Sequence, residues 1–186
     1  MSRPLLLDLY CCEGGAAVGY HRAGFDIVGV DIEPRFAKRY PFDFVAGDAI
    51  QLLQDLLTGR DVPALGFSLG DVDAIHASPP CQAYTVATRG VPEVRARHPQ
   101  LVEPTREALQ ATGKPYVIEN VVGAPLVAPL LLCGSMFDLT ATDDDGTPLR
   151  MERHRLFETN FPVMSPGQCW HRKSVAVGGG VWRWAF

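Results

Sequence analysis

The stretch Ser78-Pro79-Pro80-Cys81-Gln82 sets one thiol directly behind two consecutive prolines. The prolines fix φ and remove two backbone donors, so a strand cannot continue through them and the loop keeps few conformations. Cys81 is thereby held in place. A lone cysteine is more often a small buried hydrophobe than a nucleophile, and it is the company of this one that argues for chemistry. Glu119-Asn120-Val121 supplies a carboxylate, and Arg153-His154-Arg155 supplies two guanidinium groups. A thiol, an acid and paired arginines suit nucleophilic attack on an electron-poor ring, with the acid neutralising the charge that develops.

The elements that must position these groups follow from apolar patterning. Residues 5–10 form a continuous apolar run broken only by Asp8, short enough for a strand buried on both faces. Cys11-Cys12-Glu13-Gly14-Gly15 then reads as a turn, and residues 16–23 as a helix closed by Gly24. Such a turn brings amides and a helix start to a nucleotide-like ligand, although two glycines are also needed merely to pack helix on strand. A second strand over 26–30 ends in Asp31-Ile32-Glu33-Pro34, where a doubly wound fold places a ribose-binding carboxylate. Asp31 and Glu33 equally suit the first turn of a helix over 34–39.

A third strand over 42–46 leads through Gly47-Asp48 into an amphipathic helix over 49–57. Asp48 is either a third acidic exit residue or that helix's N-cap, the commoner role. Residues 58–70 are a Gly- and Pro-rich connection, and a fourth strand over 72–77 delivers the Pro-Pro-Cys loop. Residues 83–99 carry Arg89, Arg95, Arg97 and His98 against one acid, a basic loop suited to phosphates. A helix over 101–112, a fifth strand over 115–118 and a hairpin of 130–137 with 149–158, turning at Asp143-Asp144-Asp145-Gly146, complete the pattern. The expected fold is a mostly parallel, doubly wound α/β sheet with an antiparallel hairpin at one edge. In strand order 3-2-1-4-5, Gly14, Asp31, Asp48, Cys81 and Glu119 all reach one crevice at the carboxyl rim.

Composition sets bounds on partners. The 186 residues suit one domain, and Lys plus Arg against Asp plus Glu, 17 against 21, gives a net charge of −4 with no global pull toward polyanions or membranes. The five cysteines are odd in number, and with no signal peptide or long apolar run they read as reduced and cytoplasmic. The five histidines show no ligand spacing with them, so no metal site is expected. The apolar end, residues 175–186, reads as a chain stopped early.

With these motifs in this order, residues 5–160 resemble the cytosine-5 DNA methyltransferases, specifically the short forms seen in bacteriophages. Asp8-Leu9-Tyr10-Cys11-Cys12-Glu13-Gly14-Gly15 looks like the cofactor loop, Ser78 to Gln82 the nucleophile loop, Glu119-Asn120-Val121 the acid motif and Arg153-His154-Arg155 the arginine motif. The resemblance implies a Rossmann-like, S-adenosylmethionine-dependent methyltransferase fold and a methyl donor that leaves as S-adenosylhomocysteine. It implies Asp31 on the ribose hydroxyls, Ile32 against the adenine, and Asp48 with Ala49 at its amino group. Asp8, Tyr10, Cys11, Cys12, Glu13, Gly14, Gly15 and Pro79 would complete the pocket. Cys81 would attack C6 of a flipped cytosine, Glu119 would hold or protonate N3, Asn120 would fix the loop, and Arg153 with Arg155 would stabilise the bound pyrimidine. Gln82, Arg89, Arg95 and Arg97 are the expected contacts to double-stranded DNA.

Cys12 stands where the family usually has a glycine, and Met151 where a glutamine precedes the arginines. The chain reads as a single catalytic domain over 1–186, a monomer in a bacterial cytoplasm, C-terminally shortened relative to the family, whose target-recognition region and closing asparagine motif are not visible. Two other readings use the same residues: a pyrimidine modifier acting on RNA or with a modified cofactor, and a catalytically idle cofactor- or DNA-binding module.

Overall fold

A computed structural model of the chain describes residues 2–60, 62, 65–85, 93, 96–142, 146 and 148–171. Five parallel strands, β1 (Leu5–Leu9), β2 (Asp26–Asp31), β3 (Asp43–Ala46), β4 (Ala74–Ala77) and β5 (Tyr116–Asn120), are joined beyond β5 by β9 (His154–Thr159), which runs antiparallel to β5, and then by β6 (Leu130–Cys133), which pairs antiparallel with β9 and so runs in the direction of the first five. The sheet order is β3-β2-β1-β4-β5-β9-β6. This is the Rossmann-like architecture expected of an S-adenosylmethionine-dependent methyltransferase, with the order reversing at β1 and β4 so that their carboxyl ends open a crevice.

Alternation along β1 divides the core between the two faces. Leu7 and Leu9 face one side, where they pack with Leu52, Leu53 and Leu56 of helix α2 (Ala49–Leu57) and Leu109 of helix α3 (Val102–Thr112). Leu6 faces the other, with Ile27, Tyr40 and Ala17 of helix α1 (Gly15–Arg22). Residues 34–39, expected as an α-helix, form a short 3₁₀ turn over Pro34–Lys38. It delivers Tyr40 beneath β2, where a Cβ on Gly29 would overlap the tyrosine ring. The absence of a side chain in mid-strand is what admits Tyr40.

The expected hairpin is divided differently. Residues 149–158 do not form one arm: β8 (Pro148–Arg150) pairs with β7 (Thr140–Thr142) in a separate two-stranded sheet, and only β9 returns to the main sheet beside β6. The split falls at Met151, whose N–H still bonds Leu139 O at 2.9 Å and so belongs to the smaller ribbon. Among the described residues no helix is long and apolar enough to cross a membrane. The apolar end at 175–186, Arg89, Arg95 and Asp143 to Asp145 lie outside the described residues.

Candidate active site

The Cys81 loop is tied on every side. Ser78 N–H donates to Leu9 O at 3.1 Å, and the Ser78 hydroxyl bonds His76 Nε2 at 2.8 Å. Asn120, buried at the end of β5, donates its side-chain amide to Pro79 O at 2.8 Å and accepts from Val121 N–H at 2.9 Å. Beyond the thiol, Tyr84 and Thr85 N–H both bond Cys81 O, and Ala83 and Tyr84 bury against Val102 and Ala124. Cys81 itself stays half-buried, a thiol with an open side on a loop that cannot swing. Arrangements of this kind hold a reactive group in position at little entropic cost during reaction.

The acid and the arginines come to the same place through register. Glu119 on β5 pairs with Phe157 on β9, so Arg155 lies diagonally across on the same face. Arg155 Nε meets Glu119 Oε1 at 2.7 Å, with both side chains about three-quarters covered. Arg153 is pushed below the ordinary arginine range, first by burial and then by Arg155, while the charges of Glu119 and Cys81 oppose the shift. Thiol, acid and both guanidinium groups therefore share one electrostatic neighbourhood.

The rim beside β1 and β2 is built from strained turns. Tyr10, Cys12 and Gly14 have φ of 57°, 48° and 85°. Cys12 thus sits in the left-handed region that favours glycine. Asp31 braces the turn, its carboxylate accepting from Cys12 N–H at 3.0 Å and Glu33 N–H at 2.9 Å. Tyr10 shares a 2.7 Å hydrogen bond with Thr105 on α3. At Gly14 a Cβ would stand 2.7 Å from Pro41 Cδ, so the start of α1 can approach only as glycine, and it has no side-chain cap. Glu13 pairs with Arg39 at 2.8 Å, and Gly15 is exposed. Ile32 is 73% exposed at the mouth of β2, an apolar side chain with nothing covering it.

Other expected rim residues face elsewhere. Asp8 is buried beneath the turn and accepts from the Tyr40 hydroxyl at 3.0 Å. Burial, less the help of Tyr40 and with a contribution from Asp31, pushes its carboxyl up to about 7. Cys11 points into the same apolar cluster as Ala17 and Tyr40, and burial raises its thiol far above the usual range. Asp48 accepts from Gln51 N–H at 2.9 Å as the N-cap of α2, and Ala49 is buried behind it. Pro79 is buried and Gln82 and Arg97 are exposed, Gln82 immediately beside the thiol. Sequence reasoning did not single out Tyr40 or Thr105; the mid-strand Gly29 was the available signal for the first. A cavity of about 530 Å³ lined by Leu56, Val62, Phe67 and Asp71 lies beyond the far end of α2, away from this rim.

No family model matches the chain. Its sequence is similar to the Type II methyltransferase M.XorII of Xanthomonas oryzae pv. oryzae, 31% identical over 127 residues, covering 66% of this chain and 29% of the relative. It is also similar to M1.HphI of Haemophilus parahaemolyticus, at 35% over 83 residues (44% of this chain, 22% of the relative), and to M.AgeI of Thalassovita gelatinovora, at 26% over 167 residues (81% and 38%). Among solved structures, a SAM-dependent methyltransferase from Agrobacterium tumefaciens matches with 15% identity and a TM-score of 0.43 over 86% of this chain and 56% of that one. By sequence the chain is similar to these Type II methyltransferases, and it spans between 22% and 38% of the length of the three named here.

Proposed function

We propose that the protein methylates C5 of cytosine in double-stranded DNA through a covalent bond between Cys81 and C6 of a base turned out of the helix. The observation that carries this reading is the Arg155–Glu119 pair at 2.7 Å beside a Cys81 loop clamped by Asn120. Methyl transfer to an exocyclic amino group needs no thiol, whereas C5 of a pyrimidine becomes nucleophilic only after an electron pair is added at C6. A restrained, half-open thiol next to an acid suits the second case.

S-adenosylmethionine is the cofactor that this fold and these relatives imply, and when bound it supplies an electrophilic methyl group. The rim fits it in donor type: Ile32 offers an exposed apolar platform for an adenine ring, Asp31 offers a carboxylate to hydroxyl groups, and the uncapped start of α1 offers amides to a carboxylate.

The chain's own residues supply the rest. Arg153 is near enough for its charge to interact with Cys81, the group that adds to the ring. As Cys81 adds to C6, the C5=C6 electron pair moves to C5, and Glu119, steered by Arg155, holds the N3 edge where a proton neutralises the charge. Once C5 is methylated its proton leaves to a base, the C5=C6 bond re-forms and Cys81 is expelled as thiolate. The base pair must open first, since the reacting edge is closed within a duplex. With a net charge of −4, affinity rests on a few local contacts such as Gln82 and Arg97, which gives a shallow salt dependence.

The test is mass spectrometry of nucleosides from unmodified DNA, and in parallel RNA, incubated with the protein and S-adenosylmethionine. The reading predicts 5-methylcytosine in DNA with the intact chain and none with Cys81→Ala. Methylated adenine, N4-methylcytosine or modification of RNA alone would contradict it.

A further inference from the structure

Beyond the carboxyl end of β9 the chain turns back on itself and brings Cys169 and His171 against Cys133 and His154 of the sheet. Cys133 and His154 are direct cross-strand partners at the ends of β6 and β9. From the returning segment, Cys169 Sγ reaches 3.6 Å from His154 Nε2, and His171 Nε2 reaches 3.5 Å from Cys133 Sγ. The ligand atoms of Cys133, His154 and His171 all lie within 4.8 Å of one another. The two imidazole rings face each other at 4.9 Å, tilted by 32°.

A zinc ion with Zn–S of about 2.3 Å and Zn–N of about 2.05 Å in tetrahedral geometry makes each sulfur–nitrogen edge about 3.6 Å. Both thiol–imidazole distances match that edge; Cys133, His154 and His171 form the compact group, and Cys169 joins it through His154. The surroundings are those of a metal site as well. Glu152 holds Oε2 3.9 Å from His171 Nδ1, the ring nitrogen turned away from Cys133, and its buried Oε1 has no hydrogen-bond partner among the described residues. A ligating histidine whose other nitrogen faces a carboxylate is the usual supporting arrangement. The Ser135 hydroxyl donates to Cys133 Sγ at 3.3 Å.

We propose that Cys133, His154, Cys169 and His171 bind one zinc ion, with Glu152 orienting His171. Two thiolates and two imidazoles select zinc over magnesium or calcium. Binding sends the two thiol protons to solvent, and four protein ligands leave no open position, so the ion is structural. It pins the segment after β9 to the β6–β9 pair and holds His154 between Arg153 and Arg155. Alternation then presents the arginines on the opposite face, toward Glu119. The ion is thus a staple for the arginine pair, and its existence does not depend on which base the protein acts on.

The experiment is metal analysis of the full chain purified without chelator, followed by cobalt substitution. The proposal predicts one zinc per chain and, with Co²⁺, the intense visible bands and sulfur-to-metal charge transfer of a tetrahedral thiolate site. Cys133→Ser and Cys169→Ser should each lose stoichiometric metal and the charge-transfer intensity of one thiolate. Cys12→Ser should change neither, and Glu152→Gln should weaken zinc by about tenfold or more. Circular dichroism separates metal loss from unfolding, and Cys169→Ser, on the returning segment outside the sheet, is the variant least able to disturb the fold. A metal-free chain that gives only weak octahedral cobalt bands would overturn the proposal, as would metal retained undiminished by a folded Cys169→Ser.

Discussion

Arg155 Nε stands 2.7 Å from Glu119 Oε1, across the antiparallel junction that joins β9 to the last parallel strand. The acid therefore reaches the rim already oriented, and the β5–β9 register is as much part of the site as the two side chains. Because both groups remain partly exposed, their pairing adds little to stability. Its value lies in function: Glu119→Gln and Arg155→Ala are each expected to slow methyl transfer by about a hundredfold or more while leaving thermal stability nearly unchanged. Their combined effect should be far less than the product of the two. Single-turnover kinetics on the two variants and the double variant measure this.

Asn120 acts differently, through the loop. Its amide is buried and satisfies Pro79 O, so Asn120→Ala leaves a buried carbonyl without its partner and frees the segment that carries Cys81. The expected outcome is a loss of about 1–3 kcal/mol in stability together with a fall in kcat larger than any change in cofactor affinity. Denaturant unfolding and steady-state kinetics read the two parts separately.

Deeper in the fold, Arg106 on α3 donates from Nε and Nη2 to the two oxygens of Glu158 on β9 at 2.7 and 2.8 Å, and Glu158 also accepts from Val127 N–H at 2.7 Å. Both side chains are less than 10% exposed. Removing one partner strands a buried charge, so Glu158→Ala should cost about 3–5 kcal/mol. Replacing both residues with apolar ones of similar size should recover much of that loss, as measured by chemical denaturation.

The Asp8 carboxyl gives a pH signature. It titrates near 3.8 when unfolded and about 7 in the fold, so between those values the native state keeps a proton that the unfolded chain has released. Stability contributed by neutral Asp8 is present in full below pH 4 and is lost as pH rises to 7. Asp8→Asn removes the effect, so its stability relative to the parent should rise across that window by up to about 4 kcal/mol. Thermal unfolding of both proteins at pH 5 and pH 8 compares them; a constant difference would contradict the assignment.

Much of this was legible in the sequence for identifiable reasons. Apolar runs near residues 5, 26, 43, 74 and 116 marked the five parallel strands, and the reduced choice of handed topologies then fixed their order. The Pro-Pro-Cys, Glu-Asn and Arg-His-Arg stretches carry their chemistry in residue type. What escaped notice depends on distant pairing. The apolar pattern from Leu149 onward does not reveal that the chain leaves one sheet and enters another at Met151. Asp8 reads as a rim residue until Tyr40, brought under β2 by a 3₁₀ turn, closes over it. The Cys133, His154, Cys169 and His171 cluster has no compact spacing, because a cross-strand pair and a returning segment assemble it.

In the proposed mechanism Cys81 bonds to C6 of cytosine, and a mechanism-based trap tests this bond directly. DNA containing 5-fluorocytosine lacks the C5 proton whose loss releases the enzyme, so with S-adenosylmethionine present the adduct should persist and migrate on a denaturing gel as a protein–DNA species, with peptide mass spectrometry placing the bond at Cys81. Cys81→Ala should form none. Methylation of ordinary cytosine DNA without any trapped species, or a trapped species that survives Cys81→Ala, would contradict the mechanism.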